Sequence, residues 1–352
     1  MKLHFIDRYD ALVKTLIFGD SEFKQCLYMS PAGTASIGFN FDLQNEDTVN
    51  RVLEAMSFDP QGKILDSEAY VAEHYYIGLL KSAFYHSKSA DLASLNEVIE
   101  NILMERRNDS RYQAYPQFVR SEQFRFTDKN KGMALCYSLT KQYEKIVDDW
   151  ITSFGFDILR KNSHLLSRNS QERAVLVALA AENVIGFDEL GSARCISLAN
   201  TFIDDNRPEA WYQIRYGLML KNKPDTASVK RHYLQSEIFG LYDEGVDATN
   251  IDRIQCKQLY SMYNLYKEQI LFFERNFNHL ITQANEEYKF TRHPIRTLEE
   301  NFSIAYNFMR STPHQSPIME RYIGAMEESV NALTSRLHSK PDDLDHEIAM
   351  AS

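Results

Sequence analysis

What this sequence lacks narrows it first. No apolar run is long enough to cross a bilayer, which excludes a transmembrane helix. Residues 1–10, Met-Lys-Leu-His-Phe-Ile-Asp-Arg-Tyr-Asp, put acids and an arginine where a signal peptide carries its apolar core, so no Sec-type export is expected. Cysteine is scarce. The four present, Cys26, Cys136, Cys195 and Cys256, lie far apart with no Cys-x-x-Cys spacing. That pattern suits reduced, mostly packed thiols in a chain made in the cytoplasm. The ten histidines are scattered, and there is no His-Glu-x-x-His, Walker loop, Gly-x-Ser-x-Gly or dinucleotide fingerprint. A metalloprotease, NTPase, serine hydrolase or dehydrogenase is therefore not expected, and no metal site is read from the sequence.

An excess of positive charge is lacking too. The 39 Lys and Arg against 49 Asp and Glu leave a net charge of −10, which argues against a nucleic-acid partner and counts against tight adhesion to an anionic cell wall. The one basic cluster, Arg106-Arg107-Asn-Asp-Ser-Arg111, is diluted by Glu105 and Asp109 and reads as a solvated helix end.

What is present is mostly helix. With 44% hydrophobic and 25% charged residues the chain has ample material for a core, and its 352 residues suit about two domains. Near the N-terminus an apolar run over 11–18 leads to Glu22. Two short apolar runs follow, 26–29 and 35–41, separated by Ser30-Pro31-Ala32-Gly33-Thr34 and closed by Asp42. Apolar runs bounded by Pro and Gly predict a β-hairpin. Asn45-Glu46-Asp47-Thr48 then supplies cap residues for a helix that breaks at Asp59-Pro60-Gln61-Gly62. Apolar positions at helical spacing predict helices over 67–86, 91–104 and 127–154, with 108–125 a polar and aromatic connector. Asn169 and Glu172 form a capping-box-like pair before an almost wholly apolar helix to Ala181, the expected centre of a helical lobe. Helices over 193–203, 208–220 and 226–241 follow, then a plausible boundary at 245–250 and a long aromatic-rich helix over 251–288. Two shorter helices are expected after His293-Pro294.

Two carboxylates flanking a hairpin, with the Ser36 hydroxyl between them in sequence, suit glycoside hydrolysis. That reaction needs one acid protonated near neutral pH and one ionised. Phe18 and Phe23 beside Glu22 would desolvate it and favour its protonated form, while Asp42, on a polar strand end before Gln44-Asn45, would stay charged. The same residues also suit a helix-end acid and a helix N-cap, so the pattern is not specific by itself.

A resemblance adds to it. Tyr28, the Gly-containing turn and Ser36-Ile37-Gly38-Phe39-Asn40-Phe41-Asp42-Leu43 resemble the active-site hairpin of the phage-type lysozymes, most of all the pesticin-like branch, whose motif is an acid, then Thr-Ile-Gly, then Gly-Phe-Asp-Leu. Further on, 170–183 is similar to that family's central helix, Asn206-Arg-Pro-Glu-Ala-Trp-Tyr-Gln-Ile-Arg-Tyr216 to its Arg-x-x-Ala-Trp-Tyr-Glu-Ile-Arg-Tyr block, and 230–242 to the block that follows. These blocks keep the family's order over roughly two-thirds of the chain. The stretch after Asn250 has no assigned counterpart. Two departures are visible. Ser30 stands where the phage lysozymes proper carry their second acid, and Glu22 lies one residue nearer Tyr28 than in those enzymes.

The resemblance implies an α+β, mainly α fold: lysozyme-like, with a small N-terminal antiparallel β-hairpin or sheet, a helical lobe and extra C-terminal helices. It implies a lysozyme-like domain over 1–245, a C-terminal helical extension over 246–338 and a disordered tail over 339–352. The implied activity is a peptidoglycan-cleaving β-1,4-N-acetylmuramidase, inverting and without a cofactor. Glu22 would be the general acid, Asp42 the general base, and Ser36 the group that orients the water or Asp42. Tyr28, Trp211 and Arg215 would bind substrate, although a block at helical spacing such as 211–216 is more commonly core with one interlobe ion pair. The alternative is a weak or inactive lysozyme fold that binds glycan or protein, an inhibitor, an immunity protein or a host protein among them. The polar, acidic tail resembles the C-terminal signals of some translocated bacterial effectors, which implies export by a dedicated system.

Overall fold

The computed structural model describes residues 1–19, 22–30, 33–89, 91–119, 123–155, 169–219, 225–245, 253–288 and 294–302, and six single positions between 321 and 335. The tail expected over 339–352 and most of the short helices expected after Pro294 lie outside the described residues. Among the described residues the chain is mainly helical with one small antiparallel sheet. It divides into two compact units, Ala11–Lys145 and Met1–Asp10 with Ile146–Ser352. The expected boundary near residue 245 is not where they part, since residues on both sides of it belong to the same unit.

In the unit Ala11–Lys145, helix α1 (Tyr9–Phe18) leads to strands β1 (Lys24–Met29), β2 (Ala35–Gly38) and β3 (Phe41–Asp42). They pair antiparallel in the order β1-β2-β3, with Tyr28 opposite Ser36 and Ser36 opposite Asp42. The hairpin turn is closed by the Ser30 N–H donating to the Thr34 carbonyl at 2.8 Å and by a 2.9 Å bond between the Ser30 and Thr34 hydroxyls. The sequence showed the hairpin but not β3, because a strand of two residues leaves no periodicity. The tight β2–β3 link needs Gly38 at φ 69° and Asn40 at φ 65°. Asparagine is one of the few side chains that tolerate this backbone.

Alternate residues send Ile37 and Phe41 into the core, where Phe18 meets Phe41 edge-on at 5.4 Å and Phe126 lies 6.0 Å from Phe41. A Cβ at Gly38 would stand 2.6 Å from two Phe41 ring carbons and 3.0 Å from Phe126. With the positive φ added to this overpacking, Gly38→Ala is expected to lose about 2–3 kcal/mol of stability in urea denaturation. A loss below about 0.5 kcal/mol would show that the link can shift without cost.

Helix α2 (Glu46–Ala55) starts where Asn45 accepts from the Thr48 N–H at 3.0 Å, the cap that its sequence predicts. Helices α3 (Ser67–Tyr85) and α4 (Leu92–Asn108) pack together, each capped by an aspartate, Asp66 and Asp91. Between them lies a buried charge pair. Glu73 accepts from Arg106 Nε at 2.8 Å and Nη2 at 2.9 Å, from the Asp59 N–H at 2.9 Å and from the Tyr112 hydroxyl, while Arg106 Nη1 donates to the Phe118 carbonyl. This corrects the basic cluster: Arg106 is a core residue, and only its neighbours face water. Asp59 accepts three backbone N–H groups, from Lys63, Ile64 and Leu65, which fixes the turn where the sequence breaks. Helix α5 (Lys129–Ser153) follows.

In the other unit the central helix is α6 (Gln171–Ala181), buried from Glu172 to Ala180. Its N-cap is Ser170, not Asn169, which instead adopts φ 75°. Glu172 does not close a capping box. Its carboxylate accepts from Arg207 Nη2 at 2.8 Å and from His4 Nδ1 at 2.7 Å, so the N-terminal strip is bonded to the lobe's centre. Helices α7 (Ile196–Ile203), α8 (Arg207–Arg215), α9 (Thr226–Phe239), α10 (Arg253–Phe277) and α11 (His279–Glu287) complete the described core. The predicted long helix over 251–288 is interrupted. Tyr266 leaves helical geometry inside α10, and its ring stacks on Tyr212 at 3.8 Å while its hydroxyl donates to Glu209.

Candidate functional site

Residues directly opposite each other in an antiparallel sheet put their side chains on the same face. The register therefore sets Tyr28, Ser36 and Asp42 in a row across all three strands, on the face opposite Ile37 and Phe41. Three of the residues singled out in the sequence meet here. Their environments differ. Asp42 is exposed, and its Oδ1 accepts the Gln44 N–H at 2.9 Å, which holds the carboxylate in the turn before α2 and leaves Oδ2 without a partner among the described residues. Ser36 is 1% exposed and its Oγ has no hydrogen-bond partner among the described residues. A buried hydroxyl without a partner is uncommon and calls for a reason. Tyr28 is half-buried. Its hydroxyl donates to Asn40 Oδ1 at 3.1 Å, and the Lys24 ammonium lies 3.9 Å from its ring centroid.

Glu22 stands just ahead of β1 and is exposed, with no hydrogen bond or ion pair among the described residues. Among the described residues the apolar surroundings expected for it are absent. Phe18 turns into the core, and Phe23 packs on Phe39 at 5.1 Å and Phe126 at 5.8 Å. Ser30, the place where the resemblance would set a second acid, serves the turn through Thr34.

The chain leaving Asp42 borders a cavity of about 270 Å³, lined by Leu43, Gln44, Glu46, Val49, Lys81, Ser82, Tyr85 and His86. Gln44 Nε2 donates to the Phe84 and Tyr85 carbonyls, 3.2 Å each, and so ties the strand end to the end of α3. The Tyr85 ring is 71% exposed. An exposed aromatic at a small cavity beside a carboxylate suits a sugar ring, whose C–H faces stack on aromatic faces. Nothing in the sequence marked Tyr85, since it continues a helix whose inner face carries Phe84.

Trp211 and Arg215 are not part of this face, which corrects their expected substrate-binding role. Both are wholly buried in the other unit, because α8 is covered by α7, α9 and α10. The Arg215 guanidinium lies 5.0 Å from the Trp211 ring and 4.3 Å from Tyr233. It donates to the Arg296 carbonyl at 3.0 Å and pairs with Glu274 at 3.7 Å. The ion pair anticipated between lobes is thus internal to one unit. Its partner comes from α10, the stretch with no assigned counterpart in the resemblance.

All four cysteines are free: Cys136 and Cys256 are buried, Cys195 is half-buried and Cys26 is exposed. Burial pushes the Cys136 thiol up to about 12, so it stays protonated and inert. Among the described residues no group of three or more His, Cys, Asp or Glu could hold a metal ion, and no helix is long and apolar enough to cross a membrane. No protein-family model, curated protein or solved structure matches the chain.

Proposed function

We propose that the protein is a lysozyme-like glycoside hydrolase that cleaves the β-1,4 linkage between N-acetylmuramic acid and N-acetylglucosamine in peptidoglycan, with inversion and without a cofactor. The observation that carries this reading is the sheet register, which pairs the buried, unpartnered Ser36 hydroxyl with the exposed Asp42 carboxylate on one face. Asp42 Oδ2 takes the proton of an attacking water that the Ser36 hydroxyl orients. Glu22 protonates the leaving oxygen. Because Glu22 is exposed in the free protein, water is excluded from it only by the bound glycan itself. The test is the release of reducing ends from purified cell walls by the wild type and by Glu22→Gln and Asp42→Asn.

A second reading, wall or protein binding without cleavage, is favoured by the exposure of Glu22 and by the use of Asp42 Oδ1 in the turn. Cosedimentation with walls and no reducing ends from the wild type would select it.

Ser36 separates stability from catalysis. Ser36→Ala removes a buried hydroxyl that forms no hydrogen bond, so stability should stay level or rise by up to about 1 kcal/mol. If the hydroxyl orients the water, kcat should fall by about tenfold to a hundredfold with KM little changed. A stable variant with unaltered kcat would remove Ser36 from the site.

A further inference from the structure

A larger cavity lies in the same unit at the opposite edge of the sheet. Beyond β1 the chain returns as a short bridge, with Cys26 opposite Arg125 and the Phe126 N–H donating to the Gln25 carbonyl at 2.9 Å. This bridge forms one wall of a cavity of about 550 Å³, a size ordinary for small-ligand sites. The last turn of α2 supplies a second wall, with Met56 and with Ser57 at φ 68°. The start of α5 supplies a third, with Thr127 and Lys131.

The chemistry of the lining is unusual for this chain. Acids outnumber bases by 49 to 39 overall, yet among the described residues no Asp or Glu lines the cavity, while Arg125 and Lys131 both do. Neither cation has a hydrogen bond or ion pair among the described residues, although most other arginines of this unit are paired. Unopposed charges at one cavity favour an anion. The rest of the lining is not that of a bare-anion site. The Gln117 and Gln123 amides and the Thr127 hydroxyl both donate and accept. The end of α2, where Ala55 and Met56 line the cavity, is the negative end of a helix, which opposes a naked anion. The Phe118 and Phe126 rings, 7% and 1% exposed, give an apolar floor.

We propose that this cavity binds a sugar carrying a single anionic substituent, with Arg125 and Lys131 on the acid group and the amides and hydroxyl on the ring hydroxyls. The site is distinct from the Ser36–Asp42 face, and its occupancy does not depend on whether the protein cleaves glycans.

The test is calorimetric titration of the full chain with four probes: N-acetylmuramic acid, glucose 6-phosphate, N-acetylglucosamine and inorganic phosphate. A carboxylate sugar and a phosphate sugar distinguish the source of the charge. At least one of them should saturate below about 10 mM, at least about tenfold more tightly than either the neutral sugar or phosphate alone. R125Q/K131Q should weaken that binding by at least about tenfold. Both side chains are exposed, so its Tm should be unchanged. No saturation by either acidic sugar would overturn the proposal. So would equal binding of the neutral sugar, binding of phosphate as tight as that of the sugars, or unchanged affinity in the double variant. Wall cleavage lost in Asp42→Asn with sugar binding retained would leave this site standing whatever becomes of the hydrolase reading.

Discussion

Arg207→Ala is expected to lower the stability of its unit by about 3–5 kcal/mol, the cost of breaking a buried charge pair from one side. Arg207 is 1% exposed and donates to Glu172 at 2.8 Å, Asp243 at 2.8 Å and the carbonyls of Lys2 and Phe239 at 2.7 and 2.8 Å. Without it, Glu172 remains at 0% exposure with only His4 to offset its charge. The same cluster carries a pH dependence. Burial alone would raise the Glu172 carboxyl above its ordinary value of 4.5, but His4 and then Arg207 outweigh it and hold the group below that value. A carboxyl lowered by folding contributes stability in full above its unfolded value and loses it as pH falls through the folded one. Wild-type stability should therefore decline on acidification below about pH 4.5. In Glu172→Gln that slope should flatten while stability at pH 7 is already reduced. Urea denaturation at pH 7 and pH 4 measures both. A loss under about 1 kcal/mol for Arg207→Ala at pH 7 would mean that water reaches the cluster and screens it.

How much of this was legible in the sequence depended on range. Local chemistry was readable. Asn45 caps α2 as its side chain predicts, Gly33 falls in the hairpin turn, and the break at Asp59 is a turn closed by its carboxylate. The reading went astray where a distant residue competes for a group. Glu172 has the spacing of a capping box, but its buried carboxylate is taken up by Arg207 and by the ring and backbone N–H of His4. The cap passed to Ser170. Arg106 looked like a solvated helix end because its partner Glu73 lies far back along the chain in α3. Trp211 and Arg215 have the composition of a glycan cleft and also that of a core block, and only the covering helices decide between them. Of the proposed site, the row Tyr28, Ser36 and Asp42 was foreseeable from the hairpin motif. Tyr85 and the Arg125–Lys131 cavity were not, because neither has a periodic or local signal.

Asp42→Asn and Glu22→Gln are each expected to lower the rate of reducing-end release from purified walls by about 10²- to 10⁴-fold, the usual cost of losing a positioned acid or base. Neither change threatens the fold. Asparagine keeps an oxygen for the Gln44 N–H, and Glu22 is exposed and unpaired among the described residues. Loss of activity would therefore report chemistry and not unfolding, which a matching Tm in both variants checks. The two acids act on one bond in one step, so their effects should not multiply. The double variant should be no more than about tenfold slower than the worse single variant. Full activity in Asp42→Asn would end its role as the base, whatever the register suggests. If Asp42→Asn alone is inactive while Glu22→Gln works normally, the proton must reach the leaving oxygen from elsewhere, and the exposure of Glu22 would be the reason: a carboxyl that the apolar side chains beside it do not cover has nothing among the described residues to aim it at the glycosidic bond.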